Sequence, residues 1–315
     1  YTEKGEKVDY DRLIIATGSS PFVPPVEGAD LKGVISFRDI YDVNTMIKYC
    51  ETKKNAVVIG GGLLGLEAAY GLKQRGMNVT VLHLMDRIME RQLDGRASRM
   101  LRQSIEQKGI NIITEANTEA LIGKKGHVSQ VRLKDDTVLD ADLVVFAVGI
   151  RPNIALAQSA GLRCNRGVLV NDTMQTFDPS IYAVGECIEH RNQTFGLVEP
   201  LWGQAFVCAT HLAEHGSLTF KSPTVPTQLK VSGVDVFSAG NIEPKEDYED
   251  IILNDEKRQI YKRIIIQKDK VIGAVLFGDT EDGMWYAELI ADQTPIVSFR
   301  NKLLFGKDFA MKKAG

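Results

Sequence analysis

A glycine-rich turn between a short apolar strand and a helix dominates residues 57–87, VVIGGGLLGLEAAYGLKQRGMNVTVLHLMDR. The turn matches the pattern G-x-G-x-x-G, and a second strand, VTVLH, ends about 20 residues later. This order of strand, turn, helix and strand predicts a parallel α/β unit that binds a dinucleotide at the helix N-terminus.

Each glycine of the turn has its own predicted task. We expect Gly60 to permit the tight turn and Gly65 to let the helix pack closely on the strand. Gly62 would let a pyrophosphate approach the start of the helix, where Leu63 and Leu64 stand. These five residues are the predicted core of the dinucleotide site, and the alternative is a purely structural turn.

His83 stands where an acid usually ends the second strand of such a unit. An acid there accepts hydrogen bonds from the adenosine ribose and repels a 2′-phosphate, so His83 would remove that repulsion. Arg87 could add a phosphate contact, although Asp86 beside it argues the other way. We hypothesise a site that uses NADH and tolerates NADPH; alternatively, His83 merely caps the strand and points to solvent.

A repeated frame links two distant segments: DRLIIATGSSP at residues 11–21 and DLVVFAVGIRP at residues 142–152. Each predicts a buried parallel strand that ends in a tight turn, at Gly18 or Gly149. The repeat suggests a duplicated nucleotide-binding domain. The second copy begins at the Gly60 turn, and the same offset from Gly18 falls before residue 1. The sequence therefore predicts a first copy that lacks its N-terminal portion.

The remaining periodicity predicts the elements around these motifs. Helices are expected at residues 63–75 and 95–108, and strands at residues 56–59, 78–83 and 110–114. From residue 221 to residue 315 the pattern changes to antiparallel strands with hairpin turns, followed by a helix-like stretch. This part predicts a small α+β domain.

Composition excludes several classes of function. The chain has 315 residues with a net charge of −3 and no basic cluster, so nucleic acid is not an expected partner. No apolar run approaches the ~20 residues that cross a bilayer, and no signal peptide begins the chain, so a cytoplasmic protein is expected. Its four cysteines lie far apart, which predicts no metal centre or dithiol pair.

Polar residues beside the predicted turns are further candidates. Glu67 either interacts favourably with the helix dipole or presents a carboxylate at the nicotinamide end of a cleft. Arg151 and Asn153 either line the same crevice or are solvated loop residues. The strand IYAVGE ends at Gly185 and presents Glu186, whose carboxylate could accept hydrogen bonds from a flavin ribityl chain.

The segments ATGSSP, GGGLLGLEAA, AVGIRPN and IYAVGECIEH, in this order, resemble the two-dinucleotide-domain flavoprotein reductases. Within that superfamily, MERQLD, FGLVEPLWGQA and LKVSGVDVFSAGN are similar to the NAD(P)H-dependent nitrite reductase large subunits. The resemblance implies an α/β fold with two Rossmann-like domains and a small α+β C-terminal domain. Residues 1–40 and 152–220 would form an incomplete FAD-binding domain, 41–151 the NAD(P)-binding domain, and 221–315 the C-terminal domain.

The same resemblance implies roles for single residues. Thr17 and Gly18 would flank FAD, Arg38 would contact its pyrophosphate, and Glu186, after Gly185, would bind the ribityl chain. The backbone of Val198 would border the flavin ring. Glu67 would lie beside the nicotinamide. Most of the superfamily has Asp where Glu186 stands.

The function implied is an FAD-dependent oxidoreductase that passes electrons from NAD(P)H through flavin to iron–sulfur and sirohaem centres. Those centres, in acceptor domains or a small subunit, would belong to a parent protein, since this chain has no clustered cysteines. Such a module needs no catalytic acid, base or nucleophile, and it could form a homodimer. The alternatives are a stand-alone rubredoxin, ferredoxin, peroxide or disulfide reductase, or a fragment that only binds NAD(P). Without its first glycine turn, the chain is expected to hold FAD weakly.

Overall fold

The protein is described by a computed structural model that covers residues 4–214, 216, 218–222, 226–231, 233–244 and 247–311. It divides into two compact units. The first unit comprises Tyr1–Pro21 and Gly149–Pro223, and the second comprises Phe22–Val148 and Thr224–Gly315.

Short strands dominate the chain, with helices between many of them. The strands are β1 (Leu13–Ile15), β2 (Ser19–Pro21), β3 (Val34–Ser36), β4 (Asn55–Ile59), β5 (Asn78–Leu82), β6 (Ile110–Ile113), β7 (Thr118–Lys124), β8 (His127–Leu133), β9 (Val138–Asp140), β10 (Leu143–Phe146), β11 (Ile150–Pro152), β12 (Val168–Val170), β13 (Ile181–Ala183), β14 (Ile188–His190), β15 (Gln193–Thr194), β16 (Thr227–Val231), β17 (Val234–Gly240), β18 (Glu249–Asp255), β19 (Ile260–Gln267) and β20 (Lys270–Phe277). The helices are α1 (Ile40–Thr52), α2 (Leu63–Gln74), α3 (Gly95–Glu106), α4 (Ala155–Ser159), α5 (Val198–Leu212), α6 (Gly283–Asp292) and α7 (Lys307–Met311), with a 3₁₀ turn at Arg300–Phe305.

A five-stranded parallel sheet in the order β3-β10-β4-β5-β6 forms the centre of the second unit. Its strands are almost wholly apolar because helices cover the sheet; all four residues of β10 are buried. The helices α2 and α3 pack on this sheet through their apolar sides. The carboxyl ends of β4, β5 and β10 therefore lie at one edge, where the glycine turn begins.

The segment 22–40 belongs to the second unit, whereas the sequence placed it in the first domain. Its strand β3 pairs in parallel with β10, with Ile35 opposite Val145. A run of only three residues is too short to have indicated this partner from the sequence. The backbone hydrogen bonds between β3 and β10, rather than the local composition, determine where this segment packs.

The C-terminal segment forms an antiparallel sheet in the order β16-β17-β20-β19-β18. Alternate residues of β19 face opposite sides: Ile264 packs under α6, and Ile265 joins the core that also contains residues of α2 and α3. The sheet therefore shares a core with the glycine-turn sheet, and the two form one compact unit.

A buried polar cluster joins the same two parts. The carboxylate of Asp94 caps α3 by accepting the backbone N–H groups of Arg96 and Ala97. Its other oxygen accepts the hydroxyl of Tyr261 at 2.8 Å and lies 3.4 Å from the guanidinium of Arg263. Burial and the neighbouring Asp94 charge raise the pKa of Tyr261, so its hydroxyl stays protonated as a donor.

The first unit contains a pair of parallel strands, β1 and β13, with Ile14 opposite Tyr182. Strands β2 and β11 pair antiparallel, and β12, β14 and β15 form a third sheet. Helix α5 packs on this core through buried residues such as Val207 and Cys208. No helix in the described parts of either unit is long and apolar enough to span a bilayer.

The predicted fold class is confirmed, with mixed α/β units and an antiparallel C-terminal sheet. The predicted elements of the glycine-turn sheet agree with the observed ones to within two residues at each end. Strand β5 ends at Leu82, so His83 is the first residue after the strand.

Candidate functional site

The glycine turn between β4 and α2 leaves no room for side chains at Gly60 and Gly65. Gly60 has φ +124°, and a Cβ there would lie 2.3 Å from the carbonyl oxygen of Ala147. A Cβ at Gly65 would lie 1.9 Å from the carbonyl oxygen of Gly60. The first glycine thus shapes the turn, and the third lets α2 start directly against it.

Gly62 differs because a Cβ there would meet no atom within 4 Å. It is the N-cap of α2, and no side chain caps this helix. The N–H groups at the start of α2, including those of Leu63 and Leu64, therefore need an external acceptor. This combination of open space and unsatisfied donors fits a pyrophosphate group.

His83 lies beneath the glycine turn, with 9% of its surface exposed. Its Nδ1 accepts the backbone N–H of Gly61 at 3.0 Å. Nε2 consequently carries the proton and donates to Oε2 of Glu90 at 3.0 Å. Both ring nitrogens are engaged and the side chain is buried, so His83 does not point to solvent as the alternative prediction had it; its contact with a ribose stays a prediction.

Arg87 is also engaged within the second unit. One guanidinium nitrogen lies 2.5 Å from Oε1 of Glu243, just after β17, and another lies 3.5 Å from Asp86. Arg87 therefore holds the loop after β5 against the C-terminal sheet. Two carboxylates lie against the guanidinium, and a phosphate contact of Arg87 stays a prediction.

Glu67 lies on the exposed side of α2, beyond the first turn of the helix. Desolvation by neighbouring protein raises the pKa of its carboxyl above the ordinary value. The helix dipole gives little support at this position, which favours a role toward a ligand over the dipole interaction. Its place beside the nicotinamide stays a prediction.

In the first unit, Asn153 holds the turn that follows β1. Its side chain donates to the carbonyl of Thr17 at 2.9 Å, and its carbonyl accepts the Thr17 hydroxyl at 2.6 Å. Its backbone N–H donates to Gly18, a residue with φ +65°. The sequence analysis gave two alternatives for Asn153, a residue that lines the crevice or a solvated loop residue. In the structure, Asn153 stabilises the predicted flavin turn through these hydrogen bonds.

The neighbouring turn after β13 is held by a buried glutamine. The N–H of Gly185, with φ +94°, donates to Oε1 of Gln204 at 2.8 Å. Gln204 is fully buried, yet its Nε2 has no hydrogen-bond partner among the described residues. The hydroxyl of Ser19 donates to Glu186 at 2.7 Å. A buried donor without an acceptor beside the Gly185 turn fits a bound polar cofactor such as FAD.

The structure brings Thr17, Gly18, Gly185 and Glu186 to one end of the first unit, because β1 and β13 are adjacent and parallel. Sequence reasoning missed Gln204 and Ser19. The signal for Gln204 was a lone amide in the otherwise apolar run of α5, at WGQAF.

The remaining predicted residues have defined positions without a tested role. Val198 is the first residue of α5 and is exposed. Gly149 has φ +108° and is the first residue of the segment 149–223 of the first unit. Arg38 precedes α1 in the second unit, where its N–H donates to Asp42 at 2.7 Å. Their contacts with a cofactor stay predictions.

Within the described ranges, no group of three or more His, Cys, Asp and Glu side chains could hold a metal ion. Cys50, Cys164, Cys187 and Cys208 are free thiols, and burial raises the pKa of the first, second and fourth. The second unit thus carries a candidate site at its glycine turn, and the first unit carries one at the Gly18 and Gly185 turns.

Several characterised proteins are similar to the chain over most of its length. It is 49% identical to nitrite reductase [NAD(P)H] of Bacillus subtilis over 91% of this chain and 36% of that protein. It is 42% identical to the assimilatory nitrate reductase electron transfer subunit of the same organism, over 96% of this chain and 39% of that protein. The nitrite reductase (NADH) large subunit of Escherichia coli is 37% identical over 90% of this chain and 34% of that protein. The chain therefore spans little more than a third of the length of these relatives.

Solved structures share the fold. A NAD-dependent persulfide reductase from A. fulgidus superposes with a TM-score of 0.86 at 29% identity, covering 94% of this chain and 59% of that one. The NADH:rubredoxin oxidoreductase from Clostridium acetobutylicum gives 0.76 at 27% identity, covering 96% and 76%. The family model for rubredoxin NAD+ reductase C-terminal domains matches residues 226–294. The model for pyridine nucleotide-disulphide oxidoreductases matches residues 1–205, and the chain belongs to this family as an FAD-dependent, nitrite-reductase-like member.

Proposed function

We propose that the protein is the reductase module of a nitrite reductase, passing electrons from NAD(P)H through FAD to iron–sulfur and sirohaem centres. The 49% identity to nitrite reductase [NAD(P)H] over 91% of the chain carries this proposal.

The chain's own residues bind and orient. The open Gly62 position and the uncapped start of α2 would take the pyrophosphate of NAD(P)H. Gln204, Glu186 and Ser19 would present polar groups to FAD at the Gly185 turn. Bound FAD supplies the capacity to accept two electrons from NAD(P)H and release them singly. No side-chain proton transfer is needed for that exchange.

A second acceptor is favoured by one comparison. The chain is 42% identical over 96% of its length to an assimilatory nitrate reductase electron transfer subunit. In that case the same reductase module would deliver electrons to a partner that reduces nitrate. The two functions share the site and differ only in what receives the electrons.

The test separates electron entry from electron delivery. The purified protein is supplied with FAD and NADH, and reduction of ferricyanide and loss of nitrite are measured in parallel. We expect ferricyanide reduction, no nitrite loss by the protein alone, and nitrite loss when a sirohaem-containing nitrite reductase fragment is added. A nitrate-specific response to a nitrate reductase partner would favour the second acceptor. Nitrite loss by the protein alone would contradict both.

A further inference from the structure

Gly61, His83, Glu90 and Met89 form a ring at the edge of the dinucleotide turn, closed by three hydrogen bonds and the peptide bond between Met89 and Glu90. The N–H of Gly61 donates to His83, and His83 donates to Glu90. The backbone N–H of Met89, beside Glu90, donates back to the carbonyl of Gly61 at 3.0 Å. The loop that follows β5 therefore returns to the turn and places Glu90 next to it.

The backbone fixes Glu90 in this position. Met89 is buried and has φ +53°, a conformation that side-chain-bearing residues adopt only when their surroundings enforce it. Ile88 and Leu93, on either side, are each 1% exposed and anchor the loop in the core. The carboxylate of Glu90 itself remains partly exposed, at 25% of its side-chain surface. It is both held and accessible.

The charges around the turn oppose a second phosphate. Glu90, Asp86 and Glu243 contribute three carboxylates, and the guanidinium of Arg87 is taken by the last two. Another cation among the described residues, Arg91, is 87% exposed and lies 4.0 Å from Glu90. Ion pairs made by such an exposed side chain contribute little. Among the described residues, carboxylates therefore outnumber cations at this edge.

We infer that Glu90 is the residue that selects the nicotinamide cofactor, taking the place of the acid that is absent at position 83. Glu90 accepts hydrogen bonds from the ribose hydroxyls of NADH and repels the 2′-phosphate of NADPH. His83 is a positioning residue that orients Glu90 and braces the turn. The inference rests on the binding of NAD(P)H at the glycine turn, and it replaces the tolerance of NADPH expected from the sequence.

Direct binding tests this without flavin or turnover. Titration calorimetry measures the affinity of ADP-ribose and of 2′-phospho-ADP-ribose for the wild type, Glu90→Gln and Glu90→Asp. Glu90→Gln keeps an acceptor for His83 and removes the charge, so we expect the preference for ADP-ribose to fall at least tenfold, about 1.4 kcal/mol. Glu90→Asp keeps the charge and should keep most of the preference. Glu106→Gln, which removes a carboxylate paired with Arg102 on α3, is the matched control and should change the preference less than twofold.

The role of His83 is tested in the same assay. His83→Ala should reduce the preference in the same direction as Glu90→Gln, and the double variant should show no further change, because both substitutions disable one carboxylate. Circular dichroism confirms folding of each variant. If the wild type binds ADP-ribose but Glu90→Gln leaves the preference unchanged, the inference is wrong while the dinucleotide site stands. If the wild type binds neither compound, the dinucleotide site itself is wrong and the inference with it.

Discussion

Gly60, Gly62 and Gly65 show how much a single residue's role follows from sequence. The steric tasks of Gly60 and Gly65 were predictable because they depend on a missing Cβ, which the residue type alone reveals, whereas the pyrophosphate contact at Gly62 stays a prediction. The orientation of His83 was not predictable, because it depends on a loop that returns to Gly61 through Met89. Gln204 was missed for a similar reason: its partner, Gly185, is distant in the chain. A side chain whose partner is distant in the sequence produces no recognisable motif in the residues around it.

The glycines can be separated by substitution. Gly62→Ala meets no atom within 4 Å, so the fold should persist while ADP-ribose binding weakens at least tenfold, because the methyl occupies the approach of the pyrophosphate. Gly65→Ala would put a Cβ 1.9 Å from a backbone oxygen, and it should destabilise the protein by about 3 kcal/mol or more. Chemical denaturation and calorimetry measure the two effects.

Gly71→Ala provides the control for that pair. Gly71 also lies in α2, and a Cβ there would meet no atom within 4 Å. This substitution should raise stability by up to about 1 kcal/mol, the usual difference in helix propensity, and leave ADP-ribose affinity unchanged. Equal loss of binding in Gly62→Ala and Gly71→Ala would argue against a pyrophosphate at the turn.

At the scale of elements, the glycine-turn sheet was predicted well and its edge was not. Strands β4, β5 and β10 carry long apolar runs bounded by turns, which the periodicity reveals. Strand β3 has three residues, and only its pairing with β10 assigns it to this sheet. In the C-terminal sheet, the antiparallel strands were predicted from the sequence, but the second surface on which β19 packs was not.

Strand β19 also carries a buried cation whose pairing gives a pH-dependent prediction. The ammonium of Lys262, with 6% of its side chain exposed, lies 2.8 Å from Asp279 and 3.9 Å from Asp282. Partial burial is the largest single effect and disfavours the charge on Asp279, but the hydrogen bond and the charge of Lys262, together with the backbone N–H of Glu281, outweigh it and lower the pKa of this carboxyl. The ion pair therefore stabilises the fold above the ordinary pKa of Asp, and this stabilisation is lost as the pH falls through the lowered value.

Asp279→Asn should lower the free energy of unfolding at pH 7 by about 2 kcal/mol, because Lys262 keeps only its more distant partner. The difference in the free energy of unfolding between Asp279→Asn and the wild type should become smaller as the pH falls below the ordinary pKa range of carboxyl groups. Urea denaturation at several pH values measures it. Asp255→Asn, which removes a carboxylate 3.8 Å from Arg258, a cation with 79% of its side chain exposed, should change stability by less than about 0.5 kcal/mol. A pH-independent difference for Asp279→Asn would contradict this account.

At the scale of the whole molecule, the second unit joins parts that the sequence described as separate domains. The shared core and the Asp94–Tyr261 hydrogen bond connect α3 to the C-terminal sheet. The sequence predicted both sheets but not the contact between them, because the residues on either side of this contact form no local motif. Each unit is built from two separate stretches of the chain, so the units are defined by packing contacts rather than by the order of residues in the sequence.

This contact between the two sheets predicts that a ligand at the glycine turn protects the C-terminal sheet as well. Binding to the folded state raises the free energy of every opening that destroys the site. Saturating ADP-ribose should therefore slow amide hydrogen exchange in β19 by nearly the same factor as in β4. Mass spectrometry of exchanged peptides measures both strands. Slower exchange confined to β4 and β5 would show that the two sheets open separately. In the Asp94→Ala variant, which lacks the hydrogen bond to Tyr261, the ligand should slow exchange less in β19 than in β4.

The ring formed by Gly61, His83, Glu90 and Met89 also bears on the entropy and speed of binding. The turn is already held by the protein's own hydrogen bonds, so an arriving dinucleotide orders few backbone torsions and loses little conformational entropy in doing so. Association with such a turn is governed by diffusion and orientation rather than by a slow rearrangement. Differences in affinity between related ligands should then arise from how long each one stays.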